Sequence, residues 1–150
     1  MKGFVTALLL QNEGGATYQG KIYNRFLRLQ HLNGQILSVF DPYGPLSTEL
    51  HVGEVYEMIL ASLATSVRYF SGTPPAIKDT EWQGVIIEPR WRAPENAYQR
   101  TSSELNAHDW VLLETSLGKV LISPRIFDIP ISVEGIVQWN STRLDLLAVV

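Results

Sequence analysis

The chain has 150 residues, 45% of them hydrophobic and 18% charged, with a net charge of −3; this size and balance suit one domain with a real core and exclude a disordered chain. It contains no cysteine, which excludes disulfides, thiolate zinc sites, iron–sulfur clusters and a cysteine nucleophile, and fits a reducing, cytoplasmic setting. The acidic balance argues against a general affinity for phosphate backbones, which depends on clustered Lys and Arg.

The apolar run from Phe4 to Leu10 follows a single lysine. It is short for a secretory leader and ends in Gln11-Asn12-Glu13, so Val5–Leu10 reads as a first strand. No stretch reaches the roughly 20 apolar residues that a membrane helix needs, which predicts no membrane partner. Asn12 to Gly20 reads as a Gly-rich loop. The stretch from Phe26 to Phe40, FLRLQHLNGQILSVF, has two strand-forming runs around Asn33-Gly34, a pair suited to a type I′ hairpin turn. Alternation puts Leu27, Leu29 and His31 on one face, expected inside, and Phe26, Arg28 and Gln30 on the other. Asp41 to Pro45 then reads as a proline-stiffened loop.

Val52 to Phe70 carries two patterns. Val52, Val55, Tyr56, Ile59, Leu60, Leu63 and Val67 fit a helical stripe, which would place a short helix near 54–66, while the same run also splits into strands over Glu54–Ala61 and Ser66–Phe70. The strands are preferred. Ser71 to Pro75 is the clearest break, and Gln83–Pro89 opens a second set of strands. Arg90 to Asp109 is long, polar and without period. Trp110 to Ser123, WVLLETSLGKVLIS, forms a second hairpin around Gly118, and Ile131–Val137 and Arg143–Val149 read as the last strands, joined by a turn at Asn140-Ser141-Thr142.

The two halves, 1–72 and 82–150, have a similar layout. Gly3 before FVTALLL parallels Gly84 before VIIEP, Gly34 parallels Gly118, VGEVYE from Val52 parallels VEGIVQW from Val133, and Leu29 and Leu37 parallel Leu113 and Leu121. These offsets suggest an internal repeat of two β units within a single compact domain. The expected fold is all-β: a small barrel or sandwich of two similar antiparallel units, like an oligonucleotide/oligosaccharide-binding (OB) barrel in shape.

Chemistry is harder to locate. His31, His51 and His108 lack zinc-motif spacing, no nucleophile elbow or phosphate loop is present, and neither a catalytic residue, a metal site nor a cofactor is assigned. The expected activity is therefore binding and not catalysis. Arg90, Trp91, Arg92, Tyr98 and Arg100 combine cations with aromatic rings in the long polar segment, beside Glu88, Glu95 and Glu104, which offset them. Phe26 and Trp110 occupy corresponding places in the two hairpins; burial as core is the expectation for both, and an exposed face would instead make them a platform for a partner. These residues suit a protein-interaction module or assembly subunit with a protein partner or self-association. A single-stranded nucleic-acid binder is the alternative, and an enzyme with a loop-lined pocket the third reading.

Overall fold

Alternating or continuous apolar runs of β-branched and aromatic residues, broken by Gly and Pro, leave this chain little choice but strands. The computed structural model describes residues 3–42, 46–98 and 100–150. In chain order its strands are β1 (Val5–Gly14), β2 (Thr17–Tyr18), β3 (Lys21–Ile22), β4 (Arg25–His31), β5 (Ile36–Asp41), β6 (Val55–Phe70), β7 (Glu81–Trp91), β8 (Arg100–Thr101), β9 (Trp110–Thr115), β10 (Gly118–Ile122) and β11 (Ile136–Val149). The helical structure among the described residues is limited to two 3-10 turns, Ser103–Asn106 and Pro124–Ile126. The expected all-β fold is observed.

The main sheet runs β5-β4-β1-β6-β10-β9-β7-β11-β8, and the pairing of β5 with β11 closes it into a ring. Strands β6 and β11 also pair antiparallel along most of their length, from Met58–Val149 to Phe70–Ile136. That pairing divides the ring into two five-strand circuits. One comprises β1, β4, β5, β11 and β6, and the other β7, β9, β10, β6 and β11. In each circuit a single pairing is parallel, Phe40 beside Asp145 in the first and Leu121 beside Ala61 in the second. Each long strand therefore serves both circuits.

The two circuits match in detail. The Leu9 N–H donates to the Glu54 carbonyl at 2.9 Å and the Gly53 N–H to the Leu9 carbonyl at 2.8 Å; the Ile86 N–H donates to Gly135 at 2.8 Å and the Glu134 N–H to Ile86 at 2.9 Å. Gly53 and Glu134 both hold positive φ, 93° and 71°. The register of β1 against β4 slips after Leu9, and that of β7 against β9 after Ile86. Leu29 lies opposite Leu9 and Leu113 opposite Ile86, so these leucines correspond. Leu37 faces Leu29 while Val120 faces Leu113, so the partner of Leu37 is Val120 and not Leu121, because the second hairpin is one residue shorter.

Three local expectations change. The whole of Val55–Phe70 is one strand: β6 pairs with β1, β10 and β11, and Met58, Ile59 and Leu60 are all fully buried. A strand flanked on both sides can bury consecutive residues, which mimics a helical stripe and also leaves no room for the helix near 54–66. The last two strands are likewise one, since β11 continues through Asn140–Thr142; register shifts between Gln138 and Asn140 and between Ser141 and Arg143 absorb the polar triplet without a turn. In the first hairpin only Gly34 has positive φ. The His31 N–H donates to Gln35 and the Gly34 N–H to His31, a three-residue loop closed by a left-handed glycine in place of type I′. The proline-stiffened loop after Asp41 lies partly outside the described residues.

Two apolar clusters result. The larger contains the inner residues of both circuits, among them Leu9, Leu29, Met58, Leu60, Leu113, Val120, Trp139 and Leu146. A second lies on the outer side of β9 and β10, where Trp110, Leu112 and Leu121 pack with Ile59, Ala93, Leu105 and Leu147.

Candidate functional site

The outer faces of the two hairpins had to meet different fates, because their side chains differ. On β9–β10 the outward residues Trp110, Leu112 and Leu121 are apolar and are roofed by the chain between β7 and β9. The roof is fixed at several points: the Trp110 Nε1–H donates to the Leu105 carbonyl at 3.0 Å, Arg92 Nε meets Asp109 Oδ1 at 2.9 Å, and Arg100 Nη2 meets Glu49 Oε2 at 2.5 Å. The Ser102 hydroxyl accepts from the Glu104 N–H and starts the 3-10 turn that presents Leu105.

This accounts for most of the residues singled out in the long polar segment. Trp91 lies at the end of β7, which extends into the stretch expected to be loop, opposite Trp110; its ring stands 5.9 Å from that of Phe4. Tyr98 packs edge-on against Phe4 at 6.3 Å. Burial, and secondarily Glu57, raises the Tyr98 phenol above its ordinary pKa. Arg92 and Arg100 are held by Asp109 and Glu49, while Arg90 faces solvent on β7. The structure therefore brings Trp91, Tyr98 and Trp110 together as packing, and does not gather the cations into one basic face.

On β4–β5 the corresponding face is open. Phe26, the counterpart of Trp110, is 53% exposed where Trp110 is 7% exposed. Cross-strand register places Phe40 opposite Phe26, ring centroids 5.1 Å apart, and Ser38 opposite Arg28. Arg143, arriving on β11 from the far end of the chain, lays its guanidinium 5.0 Å from the Phe40 centroid and pairs with Asp145 at 2.7 Å. Together with Gln11 and Glu13 of β1 these residues line a groove of about 630 Å³. Arg28 is exposed and makes no ion pair among the described residues.

The loop from Gly15 to Asn24 stands at one end of this groove. Its β2–β3 hairpin exposes Tyr18 and Tyr23, rings 6.3 Å apart, together with Lys21. The loop is closed by Gly15 N–H to Asn24 O and Ala16 N–H to Asn24 Oδ1, both 2.8 Å. It also lies against the Phe26 ring: a Cβ on Gly15 would come within 2.9 Å of Phe26 Cε2 and closer still to Asn24 Oδ1, so a side chain there would have to displace the acceptor that holds Ala16 N–H. On the opposite face of β4 from Phe26, Arg25 Nε donates to Asn12 Oδ1 at 2.7 Å.

Of this set, sequence reasoning had Phe26 and the shared face of Phe26 and Arg28. Phe40, Arg143, Tyr18 and Tyr23 were not found. Correct hairpin register would have given Phe40, but nothing local in the sequence announces Arg143. Elsewhere, His31 ends β4, His51 lies in the loop before β6, and His108 stacks on Trp110 at 4.2 Å. No group of three or more His, Asp or Glu able to hold a metal occurs among the described residues, and no described helix is long and apolar enough to cross a membrane. Compared with family models, with characterised proteins and with solved structures, the chain matches nothing.

Proposed function

We propose that this chain is a non-catalytic binding protein that holds its ligand on the outer face of the β4–β5 hairpin. One observation carries the reading: of two corresponding hairpin faces, the second is roofed by the chain's own segment and the first, with Phe26 and Phe40 at its centre, is open. An exposed aromatic ring packed on a half-buried one leaves apolar surface in water, and with Arg28 beside it, unpaired among the described residues, it is characteristic of recognition surfaces. The pairing order of each circuit, in which the third strand runs parallel to a shared strand, supports a reading of both as OB-type barrels formed by an internal repeat. In such barrels the second and third strands and the loop before them make the binding face. Here those are β4, β5 and the Gly15–Asn24 loop.

A protein partner is the second reading, favoured by the polypeptide roof over the corresponding face. Capture from a lysate of the source organism with tagged wild type and a Phe26→Ala/Phe40→Ala variant, each with and without nuclease, tests the site. The proposal expects retained material that the variant loses. Identical retention by both proteins would remove the β4–β5 face from the account.

A further inference from the structure

Resting on that reading of the face, we infer that its ligand is single-stranded nucleic acid, with bases stacked on Phe26 and Phe40 and the backbone tracked by Lys21, Arg28 and Arg143. The net charge of −3 conceals a local excess. At the groove and its adjoining loop, three cations, Lys21, Arg28 and Arg143, stand against two carboxylates, Glu13 and Asp145, so the remainder of the chain is the acidic part. Affinity for a polyanion depends on charge at the seat more than on the net charge of the whole chain.

The arrangement fits a strand and not a free anion. Arg143 is already turned against Asp145 and stacked on Phe40, a posture that leaves a flat guanidinium layered on a ring instead of a fork aimed at one phosphate. Arg28 is exposed two residues along β4 from Phe26, and Lys21 is exposed on the loop whose Gly15 abuts the Phe26 ring, so the cations are separate and not gathered at one point. Aromatic rings set beside separated cations suit the alternation of base and phosphate in an unpaired strand. A duplex keeps its base faces covered and cannot use Phe26 and Phe40 in this way. The exposed Tyr18 and Tyr23 rings, on the loop that abuts Phe26, offer further aromatic surface.

The test is fluorescence anisotropy with the purified full chain and a labelled 12-residue oligothymidylate, its RNA counterpart and a duplex of the same length, over a salt series. Expected are preference for the single strands, and a log–log salt slope of about −2 for about three phosphates neutralised. Phe26→Ala should weaken binding by roughly 5- to 150-fold and Phe26→Trp should restore it. Arg28→Ala should flatten the salt slope by about 0.7. Both positions are exposed, and an unchanged urea midpoint verifies that each variant folds. Absence of oligonucleotide binding at low salt, alongside face-dependent capture of a protein from lysate, overturns the nucleic-acid assignment and leaves the face. Oligonucleotide binding that the Phe26 and Arg28 variants do not alter overturns both.

Discussion

Because β6 and β11 each belong to both circuits, neither half of this chain should fold alone. Consider the fragment 1–72, which retains β1, β4, β5 and β6 but loses β11. The first circuit then lacks the strand that joins β5 to β6, and its core loses Leu144, Leu146 and Val149, which are buried among its side chains. At roughly 1.5–3 kcal/mol for each such side chain, the lost burial is about 5–9 kcal/mol. That is comparable to the entire stability of a small domain, about 5–15 kcal/mol, before the unpaired edges of β5 and β6 are considered. Circular dichroism and amide NMR of 1–72 and 73–150 should show no cooperative thermal transition in either fragment alone, and recovery of dispersed signals when the two are mixed. A sigmoidal melt with a dispersed spectrum from 1–72 alone would refute the shared-strand argument.

Other perturbations report on separate contacts. Gly118 has φ of 123°, and a Cβ there would lie 2.8 Å from the Phe4 carbonyl oxygen, so Gly118→Ala should lower stability by about 1–3 kcal/mol in urea unfolding. The Trp139 ring is fully buried and its Nε1–H donates to Ser62 Oγ at 2.9 Å; Trp139→Phe forfeits that bond and leaves a void, and should lower the urea midpoint by an amount worth roughly 1–3 kcal/mol with an unchanged m-value. The Glu81 carboxyl lies below its ordinary pKa, first because the Lys78 N–H donates to it and then because Arg68 is adjacent. A depressed carboxyl stabilises the fold above its unfolded pKa and loses that contribution as pH falls through the folded value. Glu81→Gln should therefore show less acid destabilisation than wild type as pH falls from about the ordinary carboxyl value of 4.5 through the lower folded one, and parallel curves there would discard this account. Arg92→Ala breaks an exposed ion pair and should change the urea-derived stability by less than about 1 kcal/mol.

Alternation along Phe26–His31 and the strand-forming runs around Gly34 and Gly118 were enough to specify an all-β chain, the inward Leu27 and Leu29, and the outward Phe26 and Arg28. Those properties depend on neighbours two residues apart, and a single strand displays them. Other outcomes depended on contacts between residues far apart in the chain. Consecutive burial at Met58–Leu60 follows from strands lying on both sides of β6, and the continuity of β11 through Asn140–Thr142 from the register shifts that its partner accepts. Trp110 became core because Leu105 and Ala93 fold back over it, while Phe26 stayed open because no described segment covers Arg28 and Ser38. Arg143 reaches Phe40 only when β11 closes the first circuit. Local alternation decides which way a side chain points, and tertiary structure decides what, if anything, waits on the other side.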